Sequence, residues 1–183
     1  MKYYAELTPL NADKIGVSAH GQAEFEVDEE KNNLHIKIEM FNTPKNIEHW
    51  QHFHGFPDGQ DATVATMTDA GEDGWVDLLD TEAKSGTTMV PFDAQPAKMD
   101  IANDTYPIAD NEGHYLYEKD VPLNELNTNF EKVFPGAQLD LDKRVVYIHG
   151  IPKSLHLPNT VKGKINDTYD QHVTLPIAVG KIN

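Results

Sequence analysis

Short segments in which apolar and polar residues alternate are the feature that most limits how this chain can fold. Every second residue is apolar from Leu34 to Met40, and the same pattern runs from Ala23 to Val27. Successive side chains of a β-strand point to opposite faces, so this period of two predicts strands with one buried face. Short polar turns separate the segments and no long helical period interrupts them. The pattern therefore predicts an all-β fold, an antiparallel sandwich.

Other parts of the chain extend this interpretation. A weak helical stripe from Val121 to Phe134, closed by Pro135 and Gly136, predicts one short helix. The stretch from Gly55 to about Asn111 is acidic and rich in Gly, Pro, Asp and Thr, which predicts a long inserted loop. No repeat or linker divides the chain, so we expect residues 1–183 to form a single domain. Further strands are expected at Tyr4–Thr8, Trp50–His54, His114–Glu118, Arg144–His149 and Thr174–Val179.

The charge balance excludes two classes of partner. The chain has 15 Lys and Arg against 30 Asp and Glu, a formal net charge of −15. Such a surface repels nucleic acid and anionic membranes, and we expect neither as a partner. No apolar run is long enough for a membrane span. The segment Met1–Leu7 lacks the apolar core of a signal peptide, which predicts a cytoplasmic protein as the sequence is written, or an exported one if a leader has been trimmed.

The absence of cysteine limits the chemistry of any metal site. With no cysteine in the chain, disulfides, zinc fingers, iron–sulfur clusters and thiol nucleophiles are all excluded. A metal ion must be held by histidine, carboxylate or carbonyl ligands. The chain has nine histidines, so such a site is a reasonable expectation.

The densest chemical signal is the segment His49-Trp50-Gln51-His52-Phe53-His54-Gly55. On a strand, His52 and His54 share one face, and His149 ends a second apolar strand. Three neutral imidazoles are a ligand set that suits copper or zinc. In the alternative interpretation, His52 and His54 are a polar pair that faces solvent and binds nothing.

This segment resembles the H-x-x-H-x-H motif of copper/zinc superoxide dismutases and the H-x-H-G motif of CHRD domains. Val145–His149 and Leu175–Gly180 resemble the later strands of the dismutases, in the same order. The resemblance implies an immunoglobulin-like Greek-key β-sandwich of the dismutase type. It also implies copper-type ligands at His52, His54 and His149. It places His49 as a supporting residue that hydrogen-bonds to backbone rather than to metal.

Three departures from the dismutase pattern weaken the expectation of catalysis. No histidine occurs from Gly55 through Gly113, so the zinc site and its bridging imidazole are missing. The family's substrate-guiding arginine falls near Thr174. The two disulfide positions fall at Val64 and Val179, which we expect to lie near each other.

Three functions remain open at this point. The first is a metal-binding protein, with a small molecule or metal ion as partner and without efficient catalysis. The second is a copper-only superoxide dismutase. The third is a non-catalytic CHRD-type structural or binding module without a transition metal. The sequence does not decide between these, and it does not indicate the oligomeric state.

An acidic segment inside the long loop suggests a second ion. The twelve residues from Asp69 to Asp80 match the EF-hand calcium loop in their acidic positions and in Gly74 at the turn. The alternative is a solvated acidic turn. Among the single histidines, His114 is the first candidate for a fourth ligand of the histidine site. The expected calcium ligands are Asp69, Asp73, Trp75 through its carbonyl group, Asp77 and Asp80.

Overall fold

The computed structural model describes all 183 residues and is mostly β. Eight strands form one curled antiparallel sheet in the order β5-β4-β7-β8-β1-β2-β3-β6. The prediction of an all-β fold is therefore confirmed at this level. The strands are β1 (Lys2–Pro9), β2 (His20–Asp28), β3 (Asn33–Phe41), β4 (Gln51–Gly55), β5 (Thr87–Pro91), β6 (Tyr115–Pro122), β7 (Val145–His149) and β8 (Pro176–Lys181).

Four short helices accompany the sheet, and none of them is long and apolar enough to cross a membrane. The longest covers most of the segment in which the sequence predicted a helix. It packs Leu126 and Phe130 into the main core. The helices are α1 (Ala12–Ile15), α2 (Glu82–Ser85), α3 (Leu123–Val133) and α4 (Gln171–Thr174).

Strands β2 and β3 show why alternation predicts this half of the sheet. Their register pairs Phe25 with Ile36 and Ala23 with Ile38, and these four side chains are all buried. The residues between them are more exposed, as the burial patterns of both strands show. Cross-strand apolar pairs of this kind stabilise the sheet on its core side.

Strands β4 and β7 are different, because they are buried on both faces. Phe53, Val146 and Ile148 belong to the main core. Tyr147 belongs to a second, smaller cluster that includes Val76 of the long loop. The long loop thus covers the outer face of this half of the sheet, and that face carries the alternate residues of β4 and β7.

The expectation that the stretch from Gly55 to Asn111 is irregular was wrong in part. It contains β5, helix α2 and three short 3-10 turns, at Met67–Asp69, Leu79–Thr81 and Pro96–Lys98. Strand β5 pairs with β4 as the edge of the sheet. Its five residues are too few for a period of two to stand out from the surrounding polar sequence.

The single arginine holds two loops against the sheet. Arg144 is fully buried, and its guanidinium donates to the carbonyl oxygens of Leu139 (2.8 Å), Gln138 (2.6 Å) and Phe56 (3.3 Å). It also lies over the ring of Phe53, 5.9 Å from the ring centre. No carboxylate lies within salt-bridge distance of this guanidinium, so backbone carbonyls accept all of its hydrogen bonds.

Replacement of Arg144 by lysine should therefore destabilise the fold. An ammonium group cannot reach all three carbonyls in the fork geometry that a guanidinium offers. A fully buried carbonyl left without a donor costs about 1–3 kcal/mol, and these three carbonyls are partly buried, so each costs towards the lower end of that range. We expect Arg144→Lys to lower the free energy of unfolding by at least about 2 kcal/mol. Urea denaturation measures this, with Lys132→Ala on the exposed end of α3 as the control. An unchanged midpoint in Arg144→Lys would contradict the assigned role.

Candidate metal centre

Three imidazoles converge on the outer face of strands β4 and β7. One ligand nitrogen from each of His52, His54 and His149 lies within 4.8 Å of the other two. His52 pairs with Tyr147 across the two strands, and the backbone amide of His149 donates to the carbonyl of Trp50 at 2.8 Å. This register brings His149 beside His52. The side chains are 3%, 1% and 1% exposed, so the cluster is closed to bulk water.

Hydrogen bonds determine which nitrogens of His52 and His149 are free. Nε2 of His52 donates to the hydroxyl of Tyr106 at 3.0 Å, because that hydroxyl itself donates to the carbonyl of Ile101 at 2.7 Å. Nδ1 of His149 donates to the carbonyl of Thr174 at 2.8 Å. The proton positions leave a bare lone pair on Nδ1 of His52 and on Nε2 of His149.

The free nitrogens have no partner within the protein. Nδ1 of His52, Nε2 of His149 and both ring nitrogens of His54 are buried without a hydrogen bond. Buried polar atoms are nearly always paired, so four unpaired nitrogens in one place call for an explanation. An ion bound between the three rings would accept a lone pair from each of them.

Burial keeps the three rings neutral. It lowers the pKa of His52 and His54 well below the ordinary value, and the neighbouring imidazoles act in the same direction. Burial also lowers the pKa of His149 to about 4. A neutral imidazole is the form that binds a metal ion, so the ligands need not lose a proton first.

A small cavity adjoins the cluster. Its volume is about 30 Å³, enough for one or two small atoms. No carboxylate, lysine or arginine lines it, and the only hydroxyls belong to Thr88 and Thr174. The lining residues are Trp50, His52, Leu78, Thr88, Ile101, His149, Ile165 and Thr174.

His49 lies behind His149 and is also buried. Its Nδ1 is 2.9 Å from the carbonyl oxygen of His149, and its Nε2 is 2.8 Å from that of Pro44. Both oxygens are acceptors, so a neutral ring donates to one of them at a time. The contact ties the backbone of one cluster residue to the chain before β4. His49 makes no contact with the open side of the three rings.

The acidic residues of the Asp69–Asp80 segment do not converge in this way. Only His52, His54 and His149 form a group of three or more potential ligands with converging atoms. Asp69 forms an ion pair with Lys84, and Asp73 accepts from the hydroxyl of Thr160 at 2.7 Å. The calcium prediction therefore rests on the sequence pattern alone. The remaining partners are the Lys162 and Asp80 amides for Asp77, the Asp77 amide for Asp80, and the Asp73 carboxylate for the Trp75 amide.

Other residues singled out in the sequence fall at varied distances from the cluster. His114 is partly exposed and pairs with Glu39 at 2.7 Å, away from the three histidines. Thr174 lies at the cavity and accepts the His149 hydrogen bond. Val179 belongs to the small cluster beneath the long loop, and Val64 is partly buried and packs against that cluster.

The residues that close the site carry no signal in the sequence. Two of them, Ile101 and Tyr106, lie in one loop, more than forty positions from any of the three histidines. The third, Ile165, lies in another loop, sixteen positions after His149. Nothing in their local sequence indicates a role at the cluster. Only Trp50, within the histidine segment itself, carried a signal of partial burial. Neither the models of known protein families nor the curated proteins include a match to this chain.

The lowered pKa values predict a pH dependence for the metal-free protein. The unfolded chain protonates its histidines as the pH falls through about 6.5, whereas folded His149 resists until about pH 4. The contribution of His149 to the free energy of unfolding is therefore fully present above about pH 6.5 and is lost as the pH falls towards 4. For His149 alone the loss amounts to about 3 kcal/mol across this window. Urea unfolding at a series of pH values measures it. The exposed variant His20→Gln should show the same dependence, and a midpoint that does not change with pH would contradict the prediction.

Proposed function

We propose that this protein binds one copper or zinc ion between His52, His54 and His149. The observation that carries the proposal is the convergence of three buried, neutral imidazoles with four unpaired nitrogens. The ligand atoms are Nδ1 of His52, Nε2 of His149 and one of the two free nitrogens of His54. Imidazole nitrogens are suited to both metals.

Of the two metals, copper suits this site better. Zinc sites with three protein ligands complete a tetrahedron with water or substrate. The cavity beside the cluster is small and mostly apolar, and the hydroxyl of Thr174 already donates to the carbonyl of Gly163. A water molecule there would have few partners. Copper(I) accepts three nitrogen ligands without a fourth.

We further propose that the fold is a Greek-key sandwich of the superoxide dismutase or CHRD type. The order of the motifs along the chain supports this, and so does the position of β4 beside β7 in the sheet. When bound, copper supplies one-electron chemistry. The chain's own residues hold the rings neutral, orient His52 and His149 by hydrogen bonds, and exclude bulk water.

Efficient dismutation of superoxide is not part of this proposal. Capture of a small anion benefits from a positive surface and an open path to the metal. This chain has a net charge of −15, and its three clustered histidines are buried. Thr174 stands near the position at which the family has its arginine. A copper-only dismutase is the alternative, and copper-loaded protein that consumes superoxide far faster than metal-free protein would support it.

Elemental analysis tests metal binding directly. Wild-type protein incubated with copper(I) and then desalted should retain about one equivalent, and the His52→Ala/His149→Ala variant should retain none. At a free-ion concentration of about 1,000 times the dissociation constant, binding adds about 4 kcal/mol to the stability of the wild type alone. His114→Ala is the matched control and should retain copper. Calcium is counted separately, because the acidic segment is a different prediction.

Wild-type protein that retains neither ion, after incubation with copper(I) and separately with zinc, would overturn the proposal. The CHRD-type module without a transition metal would then remain. In that case the His52→Ala/His149→Ala variant would alter stability only.

The hydrogen bond from His52 to Tyr106 predicts a second effect on metal affinity. Burial, with the charges of Asp93 and Asp100 nearby, raises the pKa of Tyr106, so its hydroxyl stays protonated and orients the ring. Loss of such a supporting contact typically lowers metal affinity about 10–100-fold. We expect Tyr106→Phe to weaken copper binding by about that factor. Competition with a chelator measures it, and Tyr4→Phe on the exposed surface of β1 is the control. Equal affinities in Tyr106→Phe and wild type would contradict this role.

A further inference from the structure

The side chain of Trp50 lies between the histidine cluster and the surface. Its indole is 2% exposed and meets His52 edge-on, with 6.0 Å between ring centres and an interplanar angle of 84°. On the other side it contacts Tyr169 at 5.0 Å. Tyr169 is partly exposed. Two ring-to-ring contacts therefore connect a candidate copper ligand with solvent.

Two other aromatic residues adjoin the cluster, and both are buried: Tyr106, which itself stacks on Trp50 at 5.3 Å, and Tyr147. Tyr147 contacts His54 at 4.6 Å between ring centres, but it is fully buried. Its hydroxyl is bound to Ser85 at 2.6 Å and accepts from the amide of Ala65 at 3.2 Å. The path to the surface runs through Trp50.

An external redox partner cannot touch an ion held in this cluster. The three histidines are at most 3% exposed, and the adjoining cavity of about 30 Å³ admits only a few atoms. An electron that enters or leaves must cross the protein. Indole and phenol side chains in contact are the groups that do this most readily, since they are the most easily oxidised among side chains without sulfur.

The geometry points to Trp50 and Tyr169 as an electron-transfer path between the histidine-bound metal and a one-electron partner at the surface. This inference rests on the proposed function, and it requires copper rather than zinc because zinc has no redox chemistry in proteins. Copper(I) is oxidised to copper(II), and one electron reduces the external partner. The only bond change within the protein is the transfer of the phenolic proton of Tyr169 to the carboxylate of Asp104 and its return.

The environment of Tyr169 allows its transient oxidation without net proton loss. Its hydroxyl donates to the carboxylate of Asp104 at 3.0 Å. When the ring loses an electron, the phenolic proton moves to this carboxylate. It returns when an electron arrives from Trp50. The indole of Trp50 lies beside the carboxylate of Glu48, and this negative charge stabilises the oxidised ring.

The charge at the surface end of the path selects the partner. Three negative charges lie close to Tyr169, those of Asp104, Glu48 and Asp100. The nearby Lys164 does not offset them, because it forms an ion pair with Asp167 at 2.8 Å. The net charge of the whole chain is also strongly negative. A positively charged one-electron acceptor or donor should therefore associate with this surface faster than a negatively charged one.

Stopped-flow oxidation of the copper(I)-loaded protein tests the path. The probes are tris(phenanthroline)cobalt(III), which is cationic, and ferricyanide, which is anionic. We expect Trp50→Phe and Tyr169→Phe to slow oxidation by the cationic probe about tenfold or more, which corresponds to about 1.4 kcal/mol in the barrier. Phenylalanine keeps an aromatic ring in place but cannot be oxidised under these conditions. Tyr4→Phe should react as the wild type does.

Copper content is measured on every variant, so the two proposals fail separately. A wild type that binds no copper overturns the proposed function. Variants that bind one equivalent and react as fast as the wild type overturn the path alone. Faster oxidation by ferricyanide than by the cobalt complex, at low ionic strength, would contradict the choice of a cationic partner.

A measurement without metal supplies an independent outcome. Photo-oxidation of the metal-free protein by tris(bipyridine)ruthenium with an external quencher should produce the transient absorption of an indole radical. The Tyr169→Phe variant keeps both tryptophans. If the electron leaves Trp50 through Tyr169, this variant should nevertheless lose most of the indole-radical signal. An equal signal in wild type and Tyr169→Phe would overturn the path even if no copper is bound.

Discussion

The pairing of strand β4 with strand β7 is the constraint on which the candidate site depends. Its register sets His52 opposite Tyr147 and brings His149 beside it, one residue past a shift in the pairing of β7 with β8. Because side chains alternate across a strand, the same register places Phe53, Val146 and Ile148 in the core. A slip by one residue would exchange the histidines with the apolar residues, at a large cost in buried apolar area.

The second requirement is that loops close over these strands. Residues from the long loop after β4 and from the segment before β8 exclude water from the rings. This burial keeps the imidazoles neutral and leaves four nitrogens unpaired. It stabilises the ligand form of each ring and destabilises the metal-free fold, so metal binding and stability are coupled through the same desolvation. The acidic segment contributes to closure, because Asp73 and Asp77 accept hydrogen bonds from Thr160 and from the amide of Lys162.

Closure also separates two roles that an open site would combine. An ion held here is protected from large molecules, and its contact with the exterior passes through side chains. Trp50 and Tyr106 stack at 5.3 Å. Trp50 contacts the ring of His52 from the surface side, and the hydroxyl of Tyr106 accepts a hydrogen bond from its Nε2 nitrogen. A hydrogen bond to Tyr106 thus orients the ring of His52, and the indole of Trp50 packs against the same ring.

The sequence alone determined the strands with clear alternation, the short helix α3 and the shared face of His52 and His54, because these depend on neighbours a few residues apart. It also excluded thiolate ligands from any metal site, because the chain has no cysteine. Tertiary structure decided the rest: strand β5, the protonated nitrogens of His52 and His149, the hydrogen bonds of the acidic residues, and the contact of Trp50 with Tyr169. Each joins residues from distant parts of the chain. Tyr106 lies 54 positions from His52. Such contacts arise from how loops pack on the finished sheet, and no local pattern encodes them.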